Sequence, residues 1–169
     1  MTLQIYPTSW FTNENLVMKG SDGVIYQTPD GQIVKFFRDS RRARKEERIN
    51  REINRLGART PRIEALIQMN FPQGHLLHNN GGRQWGLVME KLDGTSPDAN
   101  QLETKFAFAQ QLDIVEQAGY RPVELGCNNN SLFLENEMTV TLFDFSKWKK
   151  GTITSQEREN ILNGGYLQR

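Results

Sequence analysis

The sequence predicts an α+β fold in two parts: five antiparallel strands with one helix, then a mostly helical part. Three observations predict it. Short β-branched and aromatic runs separated by Gly- and Pro-bearing turns fill the first half. Two stretches carry apolar residues at helical spacing, one of them strongly basic and the other beginning near residue 96. Late in the chain, a polar loop runs into two apolar strands that close on a single acid, Asp144. At 169 residues the chain is long enough for one domain or two small lobes. The divisions expected are an arm over 1–14, a first lobe over 15–92 and a second over 93–169.

Composition narrows the classes. The hydrophobic fraction is 37% and the mean hydropathy −0.64, with no apolar run long enough to span a bilayer. No membrane partner is expected, and no secretory leader of the basic, apolar, small-residue type is visible. Cys127 has no second cysteine to pair with, which fits a reducing compartment. The net charge of +1 conceals an asymmetry: eleven basic residues stand against four acids between Lys35 and Arg62, so the remainder is net acidic. That stretch reads as a solvated helix face or as a dock for an acidic protein over 41–56. No aromatics interleave it as stacking platforms would, so nucleic acid is not the expected partner.

In order, 1–14 reads as a loose arm pinned by Trp10 and Phe11. Leu16-Val17-Met18 and Val24-Ile25-Tyr26 are strands around Lys19-Gly20-Ser21-Asp22-Gly23, a turn whose glycines let backbone N–H groups approach an anion or simply close a hairpin. Thr28-Pro29-Asp30-Gly31 is a second turn. Gln32 to Phe37 is a third strand, on which Lys35 points outward from an edge or serves a site. The helix that follows starts at Asp39 or Ser40 and ends at Gly57, with Ile49, Ile53 and Leu56 on one face and Glu52 at that face's edge. Glu52 either reaches inward to the strand lysine or pairs along the helix surface.

Thr60-Pro61 opens an extended segment to about Met69, and Trp85 to Met89 is a buried strand. Glu90 to Gly94 turns away from it, offering backbone groups that suit a flat heterocycle. His75 and His78 read as surface residues. A helix starts at Ser96-Pro97, turns Leu102, Phe106, Ala109, Leu112 and Val115 inward and stops at Gly119. Next come the polar loop from Glu124, the hairpin around a Glu-Asn turn and the exit at Asp144, a combination of amide and carboxylate that suits Mg²⁺ and phosphate oxygens. Thr154 and Glu157 form a capping box for a last short helix.

Taken together, these residues resemble the protein-kinase fold in family order over about 16–148. Gly20 to Tyr26 resembles the later part of the glycine-rich loop, with Met18 where its first glycine would be. Lys35 is similar to the phosphate-binding lysine, and Arg51-Glu52-Ile53 to the helix carrying its glutamate partner. Leu87 to Leu92 resembles the fifth strand and hinge, with Met89 at the gatekeeper. Asp144-Phe145-Ser146 resembles the metal-binding Asp-Phe-Gly. The resemblance implies ATP and Mg²⁺ as cofactors. Gly20, Gly23, Lys35, Glu52, Glu90 and Leu92 would contact the nucleotide, Asp144 with Asn129 or Asn130 the metal.

Two departures accompany it. The position of the catalytic aspartate falls on Glu124 in one register and on Gly126 in the other. In the first, Glu124 is the catalytic base beside Lys35 and Asp144; in the second, Ser131 stands where the asparagine would be. Only 25 residues follow Asp144, too few for an activation segment and a peptide platform. In this it resembles the short kinase-like effectors that some bacteria inject into host cells. That likeness implies a partner-dependent protein in a cytoplasm, or delivered to a host cytoplasm by a specialised system. Slow phosphoryl transfer to a protein Ser or Thr and a pseudokinase acting as a binding module are both consistent with these departures.

Overall fold

A computed structural model describes residues 6–20, 23–37, 39–78, 82–126 and 130–165. The chain divides into two compact units, Met1–Glu47 with Arg62–Lys91, and Arg48–Pro61 with Leu92–Arg169. The segment 48–61 therefore belongs with the later half of the chain.

The first unit is built on an antiparallel sheet in the order β1-β2-β3-β5-β4. Its strands are β1 (Leu16–Lys19), β2 (Gly23–Gln27), β3 (Ile33–Phe37), β4 (Ile63–Asn70) and β5 (Arg83–Met89). Strand β3 is interior, hydrogen-bonded to β2 on one side and β5 on the other, so the edge-strand reading of Lys35 is wrong. Alternation sends Val34 and Phe36 to one face, into an aromatic cluster with Phe11, Tyr26 and Phe71. Phe11 lies edge-on to all three aromatic neighbours at 4.9 to 6.0 Å. Phe11, with Trp10 packed against the same cluster, thus pins residues 6–14 to the core. His75 Nε2 meets the Phe11 carbonyl at 2.7 Å and His78 Nδ1 the Phe71 carbonyl at 2.7 Å, so these histidines fasten the arm and loop.

The opposite face of the sheet packs Phe37, Ile63, Leu87 and Met89 with Ala43 of α1 (Ser40–Arg55). Asp39 starts this helix by accepting the Arg41 N–H at 2.9 Å. Gly57, at φ 100°, ends it.

In the second unit, Ile49 and Ile53 of α1 join one core with α2 (Leu102–Gln117) and α3 (Ser155–Leu162). The strand pairs β6 (Tyr120–Arg121) with β9 (Lys149–Lys150), and β7 (Ser131–Leu134) with β8 (Thr139–Leu142), complete it. Helix α2 begins at Leu102, later than Ser96-Pro97 suggests, because Asp98 accepts the Asn100 N–H and holds a turn there. Its buried face carries Thr104, Ala107, Phe108, Gln111, Leu112 and Val115. Leu102 and Phe106 stay exposed, contrary to expectation. The capping box of Thr154 and Glu157 forms as read. No helix among the described residues is long and apolar enough to cross a membrane.

Candidate functional site

In the first unit the central feature is a buried ion pair. Lys35 shares the α1-facing side of β3 with Phe37, is 7% exposed, and donates to both oxygens of Glu46 at 3.0 and 3.1 Å. Glu46 is 4% exposed and sits on the buried stripe of α1 with Ala43, Ile49 and Ile53. Its partnership corrects the expectation for Glu52, which is one helical step off that stripe. Glu52 instead accepts from the Tyr120 hydroxyl at 2.6 Å and from Lys150 Nζ at 3.1 Å within the second unit. The Tyr120 hydrogen bond, with Lys150 adding to it, holds the Glu52 carboxyl below its ordinary range. The signal for Glu46 was present in the sequence: an acid three and seven residues ahead of two buried isoleucines.

The glycine turn is tight. Gly20 donates its N–H to the Gly23 carbonyl at 2.9 Å, so that amide serves the turn itself. Gly23 lacks a side chain for a packing reason, since a Cβ there would stand 2.1 Å from the Phe36 carbonyl oxygen. Ser21 and Asp22 lie outside the described residues. At the exit of β5, Glu90 donates its N–H to the Arg62 carbonyl and accepts the Arg62 N–H on Oε2, both at 2.9 Å. The side chain and amide of Glu90 therefore lock the entry to β4, while Leu92 is half-buried.

The second unit holds the acid. Strand β8 is fixed on one edge by β7, from Ser131 opposite Leu142 to Leu134 opposite Thr139. Beyond the hairpin, Leu142 N–H donates to the Arg59 carbonyl at 3.0 Å, and Arg59 N–H to the buried Gln111 at 2.7 Å. Phe143 N–H then meets the Asn130 carbonyl at 3.1 Å. Asp144 follows at φ 62°, ψ 60°, a left-handed conformation uncommon outside glycine and held only where the surroundings impose it. Phe145 supplies that constraint by burying itself edge-on to Trp148 at 4.7 Å. Ser146 contributes too, donating to Asp144 Oδ1 at 3.2 Å.

Glu124, at φ 61°, also lies in the left-handed region. Its carboxylate accepts from Lys147 Nζ at 2.6 Å, and its carbonyl from Asn130 Nδ2 at 2.9 Å. Asn129 lies outside the described residues. In the alternative register Ser131 is committed to the Gly126 carbonyl at 2.6 Å and is buried. Lys147 had no signal in the sequence beyond its place three residues after Asp144.

Among the described residues no three His, Cys, Asp or Glu side chains gather as a metal cage. The donor set still suits Mg²⁺, which keeps several waters and needs one or two protein oxygens alongside phosphates. Asp144 and the Asn130 amide oxygen are of that kind. A chain of backbone bonds ties their segments together.

No protein-family model matches the chain, and no curated protein matches it. Among solved structures the chain is similar to WaaP in complex with acyl carrier protein. That likeness has a TM-score of 0.56 and 15% identity, covering 88% of this chain and 67% of that one. At such identity it shows the fold alone, which is kinase-like.

Proposed function

We propose that this chain is a kinase-like, ATP- and Mg²⁺-binding protein that transfers a phosphoryl group slowly to a protein Ser or Thr hydroxyl, in dependence on a protein partner. The observation that carries the reading is the buried Lys35–Glu46 pair. A buried ion pair is seldom more stable than apolar residues of the same volume, so its presence on a central strand calls for a use, and binding of phosphate oxygens supplies one. On this reading Lys35 would meet the phosphates, and Asp144, with Asn130 or Asn129, would hold the metal, which would neutralise charge on the transferring group. Gly20 and Gly23 lend backbone approach, and Glu90 and Leu92 border the base. Glu124 takes the hydroxyl proton as the bond to ADP breaks and the new P–O bond forms.

One observation favours a pseudokinase, a binding module without chemistry. Glu124 is ion-paired to Lys147, whose ammonium donates to Oε2 at 2.6 Å, so that oxygen is already engaged. A positioned base is worth about 10²–10⁴-fold, so the two readings differ measurably. WaaP was solved with an acyl carrier protein, which supports a protein partner here; the basic helix over 41–56 is the proposed dock for an acidic one.

Transfer from radiolabelled ATP separates the alternatives. A slow wild-type signal lost in Asp144→Asn and reduced at least tenfold in Glu124→Gln supports the enzyme. Binding of Mg²⁺·ATP without transfer supports the module. A signal unchanged by Asp144→Asn contradicts both assignments of that residue.

A further inference from the structure

We propose that the outward face of α1 docks an acidic α-helix of a partner protein, through a single row formed by Arg41, Arg44, Arg48, Arg51 and Arg55. The inference rests on the partner-dependent reading above but not on catalysis. These arginines recur at alternating steps of three and four residues, and all five are exposed. At about 100° per residue they fall within roughly 80° of arc, and at about 1.5 Å per residue they span about 21 Å. The row lies on the side of the helix opposite Glu46 and the buried stripe. Arg44 is held over the Trp85 ring at 4.8 Å. Arg41 and Arg55 make no side-chain hydrogen bond or ion pair with any described residue, and Arg48 stands near enough to Glu52 to help hold its carboxyl below the ordinary range.

The shape of the array selects among anions. A row with this spacing matches carboxylates repeating at three and four residues on a second helix. The planar fork of arginine also suits each carboxylate. A bilayer spreads its anions over a plane, and helices that lie on it insert an apolar face. The apolar face of α1 is already used, since Ala43, Ile49 and Ile53 are all fully buried. Outside the basic stretch the chain is net acidic, so a broad anionic surface would repel the remainder while a narrow acidic helix would not.

The test is fluorescence anisotropy with a labelled synthetic helix carrying glutamates at the matching steps. The control is a peptide of equal composition with the glutamates scattered around the helix. Binding of the striped peptide at least tenfold tighter than the scattered one is expected. It should weaken as salt is raised and fall about tenfold in the Arg41→Gln/Arg48→Gln/Arg55→Gln variant, as three exposed pairs are lost. A variant with Glu at the same three positions should prefer a lysine-striped peptide. Equal binding of striped and scattered peptides, an unaffected triple variant, or tighter binding to phosphatidylserine vesicles than to the striped peptide overturns the proposal. The Mg²⁺·ATP thermal shift is read on the same proteins. Peptide binding without a nucleotide shift leaves the dock standing and removes the nucleotide reading, and the converse removes the dock alone.

Discussion

Helix α1 makes two lysine–glutamate pairs six residues apart, and water separates them. The Lys35 and Glu46 side chains are 9% and 5% exposed. Those of Lys150 and Glu52 are 59% and 40% exposed. The first pair gives up most of its hydration and offsets that by mutual contact, with Lys35 Nζ also over the Phe37 ring at 4.9 Å. The second keeps its water and gains from company: Lys150 also covers the Tyr120 ring at 3.6 Å and donates to the Ala118 carbonyl at 2.9 Å. The dry pair is the one the proposed site would use, and the wet one is a surface clasp between α1, β6 and β9.

Removing one partner of each pair should break the comparison most sharply. Glu46→Gln leaves the Lys35 ammonium buried beside a neutral amide and should cost about 3–5 kcal/mol in denaturant unfolding. Lys35→Met with Glu46→Leu should recover most of that loss, because neither charge then remains. A single-variant cost below about 1 kcal/mol would mean that water reaches the pair. At the wet clasp, Tyr120→Phe should cost only about 1 kcal/mol, the loss of one hydrogen bond to a half-exposed carboxylate. An equal cost at the two sites would remove the distinction.

Acid sharpens the wet side. Glu52 is held below its ordinary value chiefly by the Tyr120 hydroxyl, and Glu157 below its own chiefly by the Thr154 N–H and the Arg121 guanidinium. A depressed carboxyl contributes stability that is complete above its unfolded value, 4.5 for both, and is lost as pH falls through the folded one. Unfolding free energy should therefore fall as the pH drops below about 5. Glu52→Gln should flatten that slope, and an unchanged slope would deny Glu52 its part in it.

Much of the fold was legible because short strands, turns and caps are local. The five strands, Gly57 as a helix stop, the hairpin leading to Asp144 and the capping box at Thr154 all follow from residues near one another in sequence. What failed was orientation. Glu52 stands where the resemblance puts the glutamate partner, yet the helix turns Glu46 inward, because burial is set by the stripe of Ala43, Ile49 and Ile53. The same error placed Leu102 and Phe106 inward on α2, where buried Thr104 and Gln111 occupy the face instead. Gln111 is inside because it caps the Arg59 N–H across 52 residues, a demand that no local pattern announces. Lys147 against Glu124, 23 residues apart, was hidden for the same reason.

The most direct measurement is thermal unfolding with ATP, with and without Mg²⁺, in the wild type and in Asp144→Asn. At a hundredfold excess over Kd, a ligand bound only by the folded protein adds about 2.7 kcal/mol, equivalent to roughly 5–10 °C for a chain of this size. The wild type should show a rise in Tm that needs Mg²⁺ and disappears in the variant. A cooperatively folded wild type whose Tm does not move at millimolar Mg²⁺·ATP would contradict it.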